Sequence, residues 1–242
     1  MARRFFVSQQ DILNNKLTIS GQEHIHIAKV LRLRPLERIV VSCDDGFEYE
    51  CTISEIKKDC TICFVDKKCK IKEENSNITV FQALMKGEHM DFAVQKLTEL
   101  NVDCLVPFLS KFVIAKESGS KKERFQRISF EACKQSGRKT PMKIEDVSNF
   151  DGCLQKLREF KQIVVAFEGG TTSAKEVLSK LDKNEKIALI VGSEGGFDKQ
   201  EVDKFTKLGA KIVSLGTNIL RGETAVIALA SAVSYELDYW KI

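Results

Sequence analysis

The sequence predicts an α/β protein in which a mostly parallel sheet follows a small β-rich amino-terminal part. After about residue 70, short β-branched runs alternate with amphipathic helical patterns, an order typical of parallel sheets. Before that point, strand patterns follow one another with only turn residues between them. The chain has 242 residues, of which 43% are hydrophobic, so it can bury one large core or two modest ones.

The amino-terminal part is predicted to form a small barrel or sandwich. Its strand patterns cover residues 36–42, 49–56 and 61–66, with turn signals at 44–46 and 57–59. One stretch, which carries His24, His26 and Arg32, reads as helical instead.

A polar, charged stretch at residues 70–77 lacks large apolar side chains and is the predicted linker. The domain boundary therefore falls near residue 70, with one domain at 1–70 and a second at 71–242. In the second domain, strand patterns lie at residues 78–84, 102–107, 162–167, 187–191 and 212–215, and helical patterns at 90–100, 123–136, 198–208 and 226–237. Asp198 and Glu201 have the spacing of a capping box.

Glycines follow two of these strand patterns, at Gly192, Gly195, Gly196 and Gly216. Ligands of open α/β sheets bind beyond the carboxyl ends of the strands, where glycine lets the backbone approach them closely. The spacing excludes both the dinucleotide fingerprint and the GxxxxGK[ST] phosphate loop. Glycines alone are more often turn residues, so the site prediction depends on the residues around them.

Five motifs in order carry a family resemblance. They are Gly192-Ser-Glu-Gly-Gly-Phe197, Leu215-Gly-Thr-Asn-Ile-Leu-Arg-Gly-Glu-Thr-Ala225, Gln95-Lys-Leu-Thr-Glu-Leu100, Glu131-Ala-Cys-Lys-Gln-Ser-Gly-Arg138 with Pro141, and His26-Ile-Ala-Lys-Val-Leu-Arg32. Together they closely resemble the ribosomal RNA small subunit methyltransferase E family of the SPOUT methyltransferases. The chain departs from the family pattern at Ser193, Gly222 and Asn101, where proline, threonine and glycine are usual.

The resemblance implies a PUA-like RNA-binding β-barrel at 1–70 and a SPOUT-type α/β domain with a trefoil knot at 71–242. It also implies a cytoplasmic homodimer that transfers methyl from S-adenosylmethionine to N3 of a uridine in small-subunit (16S) ribosomal RNA. The implied cofactor site consists of Glu168, Gly192, Glu194, Gly195, Leu215, Gly216, Ile219 and Leu220.

Chemistry at uridine N3 requires loss of a proton, so a base is expected near the second glycine loop. His24, His26 and His89 lie far upstream in sequence, which leaves a carboxylate as the local option. We hypothesise that Arg221 stabilises negative charge on the uracil oxygens, while Glu223 orients Arg221 or accepts the proton. Alternatively, Glu223 is a helix amino-terminal acid that complements the helix dipole.

A basic stretch predicts contact with RNA. Residues 111–143 contain ten Lys or Arg against three Glu, an excess of seven positive charges in a chain whose net charge is +4. Such a patch binds polyanions, although a solvated helix face accounts for it equally well. Through the resemblance, the candidate RNA contacts are Arg3, Arg4, His26, Arg32, Gln135 and Arg138.

Neither a metal site nor a membrane segment is expected. Cys60-x-x-Cys63 with Cys69 has no second ligand pair, so the eight cysteines are interpreted as reduced, buried thiols. No apolar run has membrane-spanning length, and no hydrophobic signal segment follows the basic start.

Two other functions remain open. One is a SPOUT enzyme that acts on another RNA or on a ribose hydroxyl. The other is an RNA-binding ribosome assembly factor whose loops, altered at Ser193 and Gly222, no longer hold a cofactor.

Overall fold

The computed structural model describes residues 3–7, 11–43, 46–71, 76–113 and 121–240. The chain divides into two compact units, Met1–Glu73 and Glu74–Ile242. Residues 44 and 45 of a predicted turn, residues 72–75 of the predicted linker, and Lys116 and Glu117 of the basic stretch lie outside the described residues.

The first unit contains a six-stranded, mostly antiparallel sheet. Its strands are β1 (Arg4–Val7), β2 (Ile12–Leu13), β3 (Lys16–Ser20), β4 (Arg38–Cys43), β5 (Phe47–Ile56) and β6 (Cys60–Lys70). They pair in the order β1-β4-β5-β6-β3-β2, and only the β1–β4 pair is parallel. Among the described residues, the two end strands β1 and β2 do not pair with each other.

The core of the first unit follows from the alternation of its strands. In β3, Leu17 and Ile19 point inward while Lys16, Thr18 and Ser20 are exposed. Helix α1 (Gly21–Ile25) continues into a π-helical turn at His26–Val30, which adds Ile27 to this core. The helical stretch predicted around His24 and His26 is therefore confirmed.

The second unit contains a seven-stranded sheet in which every described pair is parallel, as predicted. Its elements are β7 (Ile78–Ala83), α2 (Glu88–Glu99), β8 (Cys104–Phe108), α3 (Lys121–Ser136), β9 (Lys143–Ile144), α4 (Phe150–Leu157), β10 (Gln162–Ala166), β11 (Thr172–Ser173), α5 (Ala174–Leu178), β12 (Ile187–Val191), α6 (Lys199–Lys207), β13 (Lys211–Ser214) and α7 (Gly222–Glu236). The strand order is β11-β13-β10-β12-β7-β8-β9.

Helices cover both faces of this sheet, and β12 shows why its five residues are all apolar. Leu189 faces a core shared with α2 and α7, whereas Ile190 faces a second core that contains Phe205 of α6 and Leu157 of α4. A strand buried on both faces loses the alternation of polar and apolar residues. The continuous run therefore predicted β12 to the residue.

Short elements escaped prediction. Helix α4, helix α5 and the two-residue strands β9 and β11 are too short to show a clear period. A signal for α4 was present, because the Asn149 side chain accepts a hydrogen bond from Gly152 N at 2.8 Å as an N-cap. The predicted capping box of α6 is confirmed. The Asp198 side chain accepts a hydrogen bond from the backbone at Glu201, and the Glu201 side chain accepts one from Asp198 N.

All eight cysteines are free thiols. Burial raises the pKa of Cys51, Cys63 and Cys153 to about 12, so these thiols stay protonated and pack as small apolar side chains. Among the described residues, no cluster of His, Cys, Asp or Glu could hold a metal ion. In the same part of the chain, no helix has the length and apolar character needed to cross a membrane.

Candidate functional site

The predicted cofactor residues come from three neighbouring strand ends. Strands β13, β10 and β12 are adjacent and parallel, so the loops that follow them meet at one edge of the sheet. These loops enclose a cavity of about 210 Å³. All eight predicted residues line it, namely Glu168, Gly192, Glu194, Gly195, Leu215, Gly216, Ile219 and Leu220. The structure therefore brings the whole predicted set together, and cofactor contact at each residue stays a prediction.

The loop after β12 depends on glycine for its tight path. Gly196 N donates to Ser193 O at 3.0 Å, and Gly196 has a φ of +67°. A Cβ on Gly192 would lie 3.1 Å from Gly196 Cα, and a Cβ on Gly195 would lie 2.7 Å from Phe112 Cβ. These distances are shorter than ordinary carbon contacts, so side chains at these positions would push the loop out of shape.

Two polar side chains hold this loop against the end of β7. Gln82 is fully buried, and its Nε2 donates to Gly192 O at 2.8 Å and to Ala83 O at 3.0 Å. The Glu194 carboxylate accepts a hydrogen bond from Lys86 N at 2.8 Å. Sequence reasoning missed Gln82, although a glutamine inside the apolar β7 pattern was a usable signal.

The loop after β13 presents its backbone to the cavity. Ser214 Oγ donates to Gly216 O at 2.9 Å and fixes the first turn of the loop. Among the described residues, the backbone amides of residues 217–220 donate no hydrogen bond. The loop ends at Arg221, the exposed N-cap residue of α7.

The structure places Glu223 differently from one of our hypotheses. Its Oε1 lies 3.0 Å from His89 Nδ1, where α7 packs against α2, and the Arg221 side chain has no polar partner among the described residues. The Glu223 carboxylate therefore contacts His89 and not Arg221. His89 was set aside because it lies far away in sequence, yet the packing of α2 on α7 brings it to the second loop.

Comparison with known proteins identifies the family. Residues 72–234 match the family described as RNA methyltransferase domain, and residues 19–63 match the RNA methyltransferase PUA domain. Ribosomal RNA small subunit methyltransferase E of Bacillus subtilis (strain 168) is 31% identical over 231 residues, which cover 91% of this chain and 90% of that protein. The chain belongs to the ribosomal RNA small subunit methyltransferase E family. The resemblance drawn from the five motifs is confirmed.

Solved structures agree with this membership. The crystal structure of a ribosomal RNA small subunit methyltransferase E from Neisseria gonorrhoeae, bound to S-adenosyl methionine, is 27% identical. It matches with a TM-score of 0.81 over 97% of this chain and 98% of that chain. The SPOUT-type fold predicted for the second unit and the PUA-like fold predicted for the first are thus confirmed.

Two of the three departures from the methyltransferase E pattern have local structural reasons. Asn101 follows the end of α2 with a φ of +61°, a conformation that favours glycine and that asparagine tolerates better than most residues. A Cβ on Gly222 would lie 2.7 Å from Met85 Sδ, so the buried Met85 fills the space that a threonine would need. Ser193 is buried, and its hydroxyl has no hydrogen-bond partner among the described residues.

The predicted RNA contacts of the first unit differ in their availability. Arg3 lies 3.5 Å from Glu37, and Arg4 is held by Glu48 and by Ser42 Oγ. The ring of His26 packs edge-on against Phe5. Arg32 is exposed with a φ of +50°. RNA contact at these four positions stays a prediction, and Arg3 and Arg32 are the exposed arginines among them.

Ion pairs reduce the charge of the basic stretch. Lys111, Lys122, Arg124 and Lys143 pair with acids outside residues 111–143, at Asp198, Asp146, Asp91 and Glu145 respectively. Counting charges along a segment misses such partners, because folding brings them in from other elements. The local field is therefore weaker than the sequence count indicates.

Arg138 is directed into the fold, while the neighbouring Gln135 is exposed. Arg138 Nη1 donates to Thr98 O at 3.0 Å and to Val102 O at 2.8 Å, next to the end of α2. Burial lowers the pKa of its guanidinium below the usual value. This geometry supports a structural role in capping α2. The RNA contact proposed from the motif is untested, and the internal bonds account for Arg138 without it.

The capping role predicts a loss of stability. Arg138→Ala should lower the free energy of unfolding by about 1–3 kcal/mol, because two carbonyls lose a charged donor. Urea unfolding measures this, with Arg127→Ala, an exposed change on α3, expected to stay within about 0.5 kcal/mol of wild type. Equal stability of the two variants would contradict the capping role.

Proposed function

We propose that this chain is an S-adenosylmethionine-dependent methyltransferase that methylates N3 of a uridine in small-subunit ribosomal RNA. The observation that carries the proposal is the convergence of the eight predicted cofactor residues on one cavity, beside an exposed arginine at the start of α7. Family membership supports methyl transfer to ribosomal RNA. The Neisseria gonorrhoeae structure with its cofactor supports the choice of donor.

The residues around the cavity suit this cofactor. Glu168 is exposed at the cavity and has no recorded polar partner among the described residues, so its carboxylate can accept hydrogen bonds from ribose hydroxyls. The amides of residues 217–220 can bond the edge of an adenine. When bound, the cofactor supplies a methyl group activated by its sulfonium.

Catalysis by the chain is then mainly alignment and electrostatic stabilisation. The glycine loops fix the donor, and Arg221 reaches the uracil oxygens that gain negative charge as N3 loses its proton. Arg221 suits this role because its guanidinium is exposed beside the cavity, without a recorded ion pair among the described residues.

Methyl transfer to unmodified RNA tests the proposal. Purified protein would be incubated with S-adenosylmethionine and either free small-subunit ribosomal RNA or assembled small subunits, both prepared without modification. Digestion and mass spectrometry of the nucleosides should reveal 3-methyluridine. A ribose-methylated nucleoside would show that the acceptor atom is wrong. A lack of any methyl transfer to either substrate would favour a non-catalytic assembly factor.

We further propose that the enzyme is a knotted, cytoplasmic homodimer. Tyr235 and Trp240 support an interface, because they are 71% and 55% exposed. Their rings pack edge-on, with the ring centroids 6.0 Å apart. The hydroxyl of Tyr239 donates to Lys183 O within the chain. Sedimentation equilibrium should give a dimer, and a monomer at all concentrations would contradict this proposal.

A further inference from the structure

His89 and Glu223 occupy equivalent positions on two packed helices. Each is the second residue of its helix, α2 for His89 and α7 for Glu223. Their side chains meet with Nδ1 and Oε1 3.0 Å apart. The Glu223 side chain is only 12% exposed, whereas the His89 side chain is 44% exposed.

The contact with Glu223 orients the imidazole ring of His89. At this distance the neutral His89 ring can direct an Nδ1–H toward Glu223 Oε1, because a carboxylate can only accept. In the neutral ring, the lone pair is then on Nε2, and no described residue is recorded as a partner of that nitrogen. A carboxylate that orients a histidine in this way leaves the far nitrogen ready to accept a proton.

The carboxylate itself is poorly placed to reach RNA. Glu223 Oε2 is buried and has no hydrogen-bond partner among the described residues, while Oε1 is engaged by His89. The exposed ring is therefore the accessible base of the pair. This favours His89 over Glu223 for direct contact with a substrate.

The pair lies beside the cofactor cavity. Gly222, the residue before Glu223, lines that cavity, and a Cβ there would lie 3.2 Å from Gly192 O. A second cavity, of about 220 Å³, is lined by Gly87, two residues before His89, and by Met90, which follows it. The charged residues that line this second cavity are Lys86, Asp91, Lys121 and Arg124, and Glu88 precedes His89 in the chain.

We infer that His89 is the base that accepts the proton of the RNA acceptor nitrogen, with Glu223 as its positioning residue. This deepens the proposed function and rests on it. As the new N–C bond forms, the N–H bond breaks and its proton passes to His89 Nε2. The methyl–sulfur bond breaks at the same time and leaves its electron pair on sulfur. The proton then leaves His89 for solvent, which returns the neutral ring.

Single-turnover methylation across a pH series tests this inference. The rate of the wild type should rise with pH, because only a neutral imidazole ring accepts a proton. His89→Ala should lower the rate by about 100-fold or more and lose this pH dependence. Added imidazole should restore part of the rate. Cofactor affinity, measured by calorimetry, should be unchanged.

The controls separate this inference from the proposed function. Glu99→Gln, a surface change on the same helix that breaks the pair with Lys96, should behave as wild type. An active wild type with His89→Ala within threefold of its rate and the same pH profile would overturn the role of His89 alone. A wild type that methylates no RNA would overturn the proposed function, and the inference with it.

Discussion

Replacing Arg221 by alanine should lower the rate of methyl transfer by about 100- to 1,000-fold, because one preorganised positive group facing the developing charge is lost. The affinity for S-adenosylmethionine should change little, since Arg221 lies at the start of α7 and outside the residues that line the cavity. Rates would be measured in single turnover with RNA in excess, and affinity by calorimetry on the same preparation.

Arg158→Ala is the matched control for this change. Arg158 is also exposed and also lies at a helix end, but on α4, which packs on the other face of the sheet from α7. It should retain the wild-type rate. Near-normal turnover of Arg221→Ala would contradict the assignment of Arg221 to the reaction, and an equal loss in both variants would point to a general effect of surface charge on RNA binding.

Replacing Gly196 by alanine should weaken S-adenosylmethionine binding by about 10- to 100-fold. A Cβ at this position would lie 2.9 Å from Glu168 Oε1 and 3.3 Å from Oε2, so the carboxylate would have to leave its place at the cavity. Loss of a hydrogen bond to a charged group costs about 1.5–3 kcal/mol, which corresponds to this range. Calorimetric titration measures the change.

Gly209→Ala separates this crowding from backbone strain. Gly209 has a φ of +86°, comparable to the +67° of Gly196, but a Cβ there would meet nothing within 4 Å. Both variants should lose about 1 kcal/mol of stability through strain, whereas only Gly196→Ala should lose cofactor affinity. A similar affinity of the two variants would show that the space beside Glu168 is not used by the cofactor.

The parts of the fold that the sequence predicted well are those whose pattern is set by burial alone. Strand β12 is buried on both faces, and α7 carries Val226, Leu229, Ala230 and Val233 on its buried side, so each shows an unbroken signal. The glycine loops were located because they directly follow such strands. The sequence also predicted that the two glycine loops lie together at one site, since parallel strands place their carboxyl ends at one edge of the sheet.

The remaining features depend on contacts between residues far apart in the chain. The pairing of His89 with Glu223 joins α2 to α7, and nothing in either local pattern indicates it. The bonds of Arg138 to Thr98 and Val102 and the pairing of Lys111 with Asp198 are similar cases. In each case a charged side chain has a partner that is distant in the sequence and is brought close only by folding.

The departure at Gly222 shows how a change in one loop is matched elsewhere. Read alone, glycine in place of threonine suggested a loosened cofactor loop. In the fold, Met85 occupies the neighbouring space and Gln82 ties Gly192 to β7, so the loop is supported on both sides. The packing thus favours a retained cofactor site over the assembly factor without one.

Titration of S-adenosylmethionine into the purified protein tests the central claim most directly, because every catalytic role described above requires that the cavity formed by the β10, β12 and β13 loops hold this cofactor. We expect one binding site per chain, with affinity reduced in Gly196→Ala and preserved in Gly209→Ala. Absence of binding at about 1 mM cofactor, a concentration that detects even weak sites, would contradict the claim.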